Sequence, residues 1–325
     1  MKVQPVLLLL VISIILCTCP GHVVSGLCLD DQRSFLLQFK NNLTFDHQHS
    51  TKLNSWNESI ACCDWSGVTC DHDARVIALD LSHTKFSGGL PLSIGNLVHL
   101  SILHLYNCNF SGTIPTSLSN LTELKEMDLS HNNFVGAIPS SALFEGTIPP
   151  SIFQLRGLVY LRLSKNKLSG PMPLSIQFSG LHELDLSSNK FSGPMLIDAL
   201  ALNRNLSVLD LSFNMIDDVI VTDVLLSTFP QLRILNLAFC NLKTFPAFLK
   251  YQSGLYDLYL SYNQIQGIVP NWIWRLDELS ILNVSHNSLT NFEICTINCK
   301  GQSQVFFNLL PLLTSQATIL ALLSQ

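Results

Sequence analysis

Charge is scarce in this chain. Asp, Glu, Lys and Arg together make up 13% of its 325 residues, and 18 Lys plus Arg against 23 Asp plus Glu leave a formal net charge of -5. Nucleic-acid binders carry a basic patch or stripe, so the shortage of Lys and Arg argues against that partner class. Catalytic signatures are missing too: there is no GxGxxG, GxxxxGK[ST], HExxH or GxSxG, and no HRD or DFG set. The reading is therefore no enzyme, no cofactor and no metal. Disorder is excluded from the opposite side. It needs low hydrophobicity with high charge, whereas 47% of these residues are hydrophobic and mean hydropathy is +0.33. What the chain holds in quantity is 60 leucines beside 24 asparagines, a pairing that suggests a repeat.

The N-terminus reads as an address rather than as structure. Lys2 precedes an apolar run from Val6 to Leu16, followed by Pro20 and the small residues Ser25 and Gly26, the layout of a secretory signal peptide over residues 1–26. An eleven-residue run, apolar but for Ser13, is too short to span a bilayer. Cleavage after Gly26 removes Cys17 and Cys19 and sends the other eight cysteines into an oxidising compartment where disulfides persist. Residues 27–75 then form a cysteine-framed cap. Cys28 opens the amphipathic pattern Phe35, Leu36, Phe39, and Cys62, Cys63 and Cys70 frame a turn just before the repeats. Adjacent cysteines bond each other poorly, which leaves Cys28 with Cys62 or Cys63, and Cys70 with the other. A zinc site is disfavoured, since no histidine sits at ligand spacing.

From Val76 to Phe292 the chain repeats on the pattern LxxLxLxxNxL. The asparagine slot is filled by Thr84, Cys108, Asn132, Asn166, Asn189, Asn214, Cys240, Asn263 and Asn287, at intervals of 24, 24, 34, 23, 25, 26, 23 and 24 residues. Nine such copies are leucine-rich repeats. Each copy is expected to supply one short strand with leucines inward, and to need neighbours on both sides to bury them. The slot amide would satisfy backbone groups of adjacent turns, and Cys108 and Cys240 would be buried free thiols doing the same more weakly. Gly88, Gly112, Gly136, Gly170, Gly193 and Gly267 lie four residues past the slot, where positive φ is expected. Pro91, Pro115, Pro139, Pro173 and Pro270 would hold extended backbone after them.

The strings CLDDQRSFLLQFK, LNSWN, CCDWSGVTC and VIALDLS, followed by LxGxIP repeats, resemble the extracellular region of plant leucine-rich-repeat receptor-like proteins, particularly those linked to Verticillium wilt resistance. The resemblance implies an α/β leucine-rich-repeat solenoid of the plant extracellular 24-residue type, with short parallel strands on the concave face and a disulfide-stapled cap. It also implies the pairings Cys28 with Cys62 and Cys63 with Cys70. Its functional implication is a non-catalytic recognition ectodomain at the outer face of the plasma membrane, binding a protein, peptide or glycan ligand and signalling through a receptor kinase co-receptor. The alternative is a secreted inhibitor resembling the polygalacturonase-inhibiting proteins, or a truncated, soluble fragment in the apoplast. Two departures stand out. The interval of 34 contains the abbreviated segment around residues 140–150, expected to loop out without breaking the spiral. Residues 293–325 leave the pattern, with Cys295 and Cys299 close together and the interrupted apolar stretch from Val305 to Leu323 lacking a basic flank, so anchoring there is disfavoured.

Candidate surface features follow from the alignment. Sequons stand at Asn42, Asn57, Asn109, Asn120, Asn205 and Asn283, open to glycosylation in a secreted chain; a glycan on Asn283 would obstruct the strand face. His83, His104, His131, His182 and His286 are read at outward strand positions alongside Asp80, Asp128, Asp185, Asp210 and Asp257, so acidification would shift that face toward positive. Pairs such as Asp80 with Ser82 and Asp185 with Ser187 are read as consensus on a solvated face, not as parts of a triad. The ligand-binding patch is placed on Arg233, Phe239, Tyr256, Tyr259 and Tyr262, assigned to outward strand positions of repeats seven and eight, because Tyr and Arg dominate interface hot spots.

Overall fold

The structure, a computed structural model, describes residues 28–45, 50–137, 152, 155–171, 178, 180–196, 200–220 and 229–292. The signal peptide, the segment 140–150, Pro139, Pro173 and the tail with Cys295 and Cys299 lie outside the described residues.

In the strand of each repeat, alternation puts one residue in and its two neighbours out, and the inward positions five before the slot stack as Leu79, Leu103, Met127, Leu161, Leu184, Leu209, Leu235, Leu258 and Leu282, none more than 1% exposed. A single turn leaves such a leucine open on both sides, so burial comes only from stacking. The result is one sheet of ten strands in which Val76–Asp80 starts a parallel run through Ile102–His104, Glu126–Asp128, Tyr160–Arg162, Glu183–Asp185, Val208–Asp210, Ile234–Asn236 and Asp257–Tyr259 to Ile281–Asn283. The tenth strand, Val68–Cys70, belongs to the cap and pairs antiparallel with Val76–Asp80. The chain is thus a leucine-rich-repeat solenoid with a disulfide cap, as the repeat pattern and the family resemblance implied.

The slot side chains turn inward and hold adjacent turns together. Asn132 donates from Nδ2 to the carbonyls of Leu105, Leu129 and Ser130 at 2.8, 3.0 and 3.1 Å, and its Oδ1 accepts from the backbone N–H groups of Cys108 and Phe110. Cys108 and Cys240 are free and fully buried, donating from Sγ to the Leu81 and Leu211 carbonyls at 3.1 and 3.2 Å. The ladder passes straight from the third repeat to the fourth: Asn166 Nδ2 reaches the Leu129 carbonyl at 3.0 Å, and Glu126–Asp128 pairs with Tyr160–Arg162. The long interval therefore leaves the spiral unbroken.

A second parallel sheet, not foreseen in the sequence, runs along the far side of the slot. It comprises Ser111–Gly112, Asn133–Ala137, Lys167–Gly170, Lys190–Leu196 and Met215–Ile220, and after a gap Gln266–Val269 pairs with Ser288–Phe292. The gap falls at repeat seven, where Thr244 stands in place of the glycine four past the slot. The repeat glycines named above have φ from 73° to 132°, and Pro91, Pro115 and Pro270 are extended at ψ 142°, 138° and 147° before 3₁₀ turns. Among the described residues the helices of the repeats are such single turns, and the one α-helix, α1 (Asp30–Asn41), lies in the cap.

The cap is cross-linked by Cys28–Cys62 and Cys63–Cys70, with Cα separations of 5.3 and 5.5 Å. Trp56 and Trp65 stack at 5.3 Å, and their indole N–H groups donate to the Ser66 and Ile60 carbonyls. Thr44–Phe45 then pairs antiparallel with Phe86–Ser87, tying the cap to the first repeat.

Candidate recognition face

The parallel register turns sequence positions into columns one strand spacing apart, about 4.8 Å. Four residues before the slot, the column runs Asp80, His104, Asp128, Arg162, Asp185, Asp210, Asn236, Tyr259, Asn283. Arg162 is its one guanidinium and binds Glu183 in bidentate fashion at 2.6 and 2.8 Å. With Glu126 3.4 Å from His104, the carboxylates outnumber the cations Lys125, Arg162 and Lys165 in the middle of the face. The carboxylates also have a local task. Asp80, Asp128, Asp185 and Asp210 each accept, through Oδ1, the backbone N–H two residues on, at 2.8 to 3.0 Å. They close the strand with an Asx turn, and Ser130 and Ser212 also donate their hydroxyls to the same carboxylate oxygens. Burial pushes the Asp210 carboxyl up from its ordinary pKa even against the hydrogen bonds from Ser212, and the nearby Asp185 adds to the rise.

The residue just before the slot departs from the sequence expectation. His83, His131, Phe213, Phe239, Tyr262 and His286 have φ between 55° and 63°. They occupy a left-handed turn after the strand, not an outward strand position. Of the histidines placed on strands, only His104 lies within one; His182 precedes Glu183–Asp185. The reason is geometric: the slot lies four residues past the strand end, the chain must turn its side chain inward within that span, and a positive φ just before the slot does this. The side chain at the turn is thrown outward. Burial lowers the pKa of His131, with Lys165 adding to the effect.

This column builds an aromatic ridge. Phe213 stacks on Phe239 at 4.8 Å, Phe239 on Tyr262 at 4.6 Å and Tyr262 on His286 at 4.0 Å, with interplanar angles of 18°, 19° and 11°. Phe213, Phe239 and Tyr262 are 51%, 44% and 46% exposed, so three large aromatic side chains face water along one edge; Met215, on the other side of the slot, is 54% exposed in the second sheet. Phe213 and Met215 are not among the sequence candidates, and His286 is among them only as a titrating residue of the strand face; for Phe213 and His286 the signal is in the alignment, one position before the slot.

The five-residue patch expected from the sequence is accordingly divided. Phe239 and Tyr262 belong to the ridge at the strand ends. Arg233 and Tyr256 lie seven residues before their slots, where the Arg233 guanidinium covers the Tyr256 ring at 5.0 Å. Tyr259 stands between the two groups in its strand, flanked in register by Asn236 and Asn283. Burial raises the Tyr259 pKa with help from Asp257, and burial likewise raises Asp257 against the pull of Arg233.

Of the sequons, Asn42, Asn57, Asn109, Asn120 and Asn205 are exposed, whereas Asn283 is half-buried in its strand and accepts from Ser285 Oγ at 2.8 Å. Asp71, His72 and Asp73 are one of two groupings of metal-ligating type among the described residues, the other being cap cysteines already in disulfides. Arg75 already binds Asp71 and Asp73, both at 2.8 Å, so the guanidinium takes the place a cation would fill. Among the described residues no helix is long and apolar enough to cross a membrane.

Comparison with known proteins agrees with this geometry. A leucine-rich-repeat N-terminal domain matches residues 29–71, and a leucine-rich-repeat region matches residues 74–298. Receptor-like protein 49 of Arabidopsis thaliana is 50% identical over 62 residues, 19% of this chain and 7% of that protein; receptor-like protein 31 is 43% identical over 89 residues, 25% and 10%. The chain thus matches well under two thirds of these relatives' length. Among solved structures, a plant ice-binding protein superposes with TM-score 0.59 at 26% identity, covering 81% of this chain and 88% of that one. The ectodomain of the Arabidopsis receptor kinase GASSHO1/SCHENGEN3, in complex with CASPARIAN STRIP INTEGRITY FACTOR 2, gives 0.67 at 30%, covering 86% and 35%. The receptor kinase HAESA with the peptide hormone IDA and the co-receptor SERK1 gives 0.62 at 27%, covering 80% and 46%. One solenoid therefore serves quite different tasks, and function has to be argued from the surface. By its repeats and its cap together, the chain belongs to the leucine-rich-repeat family, with plant receptor-like proteins as its relatives.

Proposed function

We propose that this chain is a non-catalytic recognition ectodomain, exposed on the outer side of the cell, that binds a peptide ligand along its strand face and works with a partner receptor kinase. The observation that carries the reading is the aromatic ridge Phe213–Phe239–Tyr262–His286 beside an acidic strand face. Contiguous exposed apolar side chains mark interaction sites, and aromatic residues concentrate binding energy. An extended peptide carrying basic and apolar residues complements both features. The pairing of hormone and co-receptor on HAESA supports the same arrangement here by analogy.

The test is selection of a random peptide library against the secreted chain. Enriched peptides should be rich in Lys, Arg and apolar residues. Replacing Phe213 and Tyr262 with Ala should weaken their binding by at least about 2 kcal/mol, as hot-spot truncations do, with secretion unchanged. A library that yields no enriched peptide, or peptides that bind the double variant equally well, would overturn the reading. Tyr259→Ala, made alone, separates the strand face from the ridge.

A further inference from the structure

In the second repeat Ser117 donates its hydroxyl to the Leu92 carbonyl of the turn before it, at 2.7 Å. Ser93 holds the equivalent place one repeat earlier, where the preceding element is the cap helix and not another repeat. Its residue is 8% exposed and its Oγ has no hydrogen-bond partner. Beside it, between cap and first repeat, lies a cleft of about 590 Å³ lined by Gln38, Asn42, Leu92, Ser93 and Asn96 among others, within the range of small-ligand pockets. Leu92 on its wall is 66% exposed. Asn42 stands at the lip. Its backbone N–H closes α1 on the Gln38 and Phe39 carbonyls, Leu43 after it is buried, and Thr44 is held in the strand paired with Phe86–Ser87. Asn42-Leu43-Thr44 is a sequon.

We propose that this cleft seats the first N-acetylglucosamine of a glycan carried on Asn42, so that the sugar becomes a fixed part of the joint between cap and repeats. The modification forms a bond from Asn42 Nδ2 to sugar C1 as the C1–O bond to the diphosphate of a lipid-linked oligosaccharide breaks; Nδ2 loses one proton and keeps one N–H. The sugar's C–H face then covers Leu92 and its hydroxyl and acetamido groups meet the Gln38 and Asn96 amides, while rotation of the Ser93 side chain toward the cleft brings its hydroxyl, closed off from solvent without the sugar, onto a sugar oxygen. Asn57 differs. Its side chain is spent in an Asx turn, accepting from the Ser59 N–H at 2.9 Å, on an exposed stretch outside the cleft, and a sugar there extends into water.

The inference rests on secretion for the presence of the sugar, and the test separates the two. The unchanged chain, secreted from plant cells, is mapped for occupancy and treated under native conditions with a peptide N-glycosidase active on plant glycans, which frees the whole glycan by hydrolysing the Asn side-chain amide. Release from Asn42 should be about ten-fold slower than from Asn57, as expected when cleavage needs local opening, and the two rates should converge on denaturation. Thr44→Ala, which removes the sequon and leaves the cleft lining intact, should lower Tm, whereas Ser59→Ala should not. A bare Asn42 overturns the proposal together with its premise of glycosylation. An occupied Asn42 released as fast as Asn57, or a Thr44→Ala chain as stable as the Ser59→Ala chain, overturns the seat alone.

Discussion

At the scale of single residues, each slot asparagine spans two turns, and its amide is satisfied on both sides. Replacing Asn132 with Ala would strand the Leu105 carbonyl and the Cys108 and Phe110 N–H groups in a buried setting. The expected loss is about 2–4 kcal/mol, read as a lower denaturant midpoint. The two slot cysteines carry a different signature. Burial pushes both thiols up to about 12, so the reactive thiolate is suppressed. Neither Cys108 nor Cys240 should be alkylated at pH 8 in the folded chain, and both should react in urea. Because the folded pKa is raised, the thiols' contribution to stability is intact below an unfolded value near 9 and is lost as pH rises toward 12. Asp210 works the same way at the acid end. Its pKa is also raised, so the folded state holds its proton more tightly and this group's contribution falls as pH climbs out of the acid range. Asn236 and Asn283 already make the same turn with an amide. Asp210→Asn should therefore fold, and the wild type should gain stability relative to it as pH is lowered from 7 to 4, measured by thermal melts across that range.

At the scale of elements, glycine separates two kinds of necessity. Gly88 has φ +93° with nothing near its missing Cβ, so alanine there meets only backbone strain, about 1–2 kcal/mol. Gly95, in the 3₁₀ turn Leu92–Asn96, has no such φ, but a Cβ would lie 2.3 Å from the Ser117 carbonyl oxygen of the next turn. Gly67 combines both conditions: φ +85° and a Cβ 2.3 Å from the Asp80 carbonyl oxygen, at the seam where cap strand meets first repeat strand. Gly67→Ala should therefore be the most damaging of the three and Gly88→Ala the least, an order checked by secreted yield and Tm. The glycine four past the slot was legible because its spacing repeats. Gly67 and Gly95 were not, since their constraint comes from a neighbouring turn that the local sequence does not specify. The same holds for the second sheet, whose strands follow the slot in text that reads as loop and are stabilised only by pairing with the next repeat.

At the scale of the whole molecule, the solenoid is nearly one-dimensional, and each turn depends on its two neighbours. A ligand lying along the acidic face should bind more weakly as salt rises, because exposed charge pairs are screened within about 8 Å at physiological ionic strength. The portion bound to the ridge should be insensitive to salt, and titrations of Phe213→Ala at two ionic strengths would separate the two contributions. The sequence by itself determined the period, the inward leucines, the slot and the existence of a cysteine cap. These are properties of one repeat viewed against copies of itself, and burial demands the same inward pattern in every copy. The family resemblance added the pairing of the cap cysteines. Tertiary structure decided the rest. The left-handed turn before the slot moved Phe239 and Tyr262 off the strand and joined them to Phe213 and His286, and it split them from Arg233 and Tyr256. The gap between α1 and the first repeat left Ser93 without the carbonyl that Ser117 finds. The physical reason is common to both: contacts between residues a full repeat apart arise only when turns stack, and before the slot the positive φ that throws the side chain outward falls on His, Phe, Tyr, Asn, Lys and Ser alike, with no glycine to announce it.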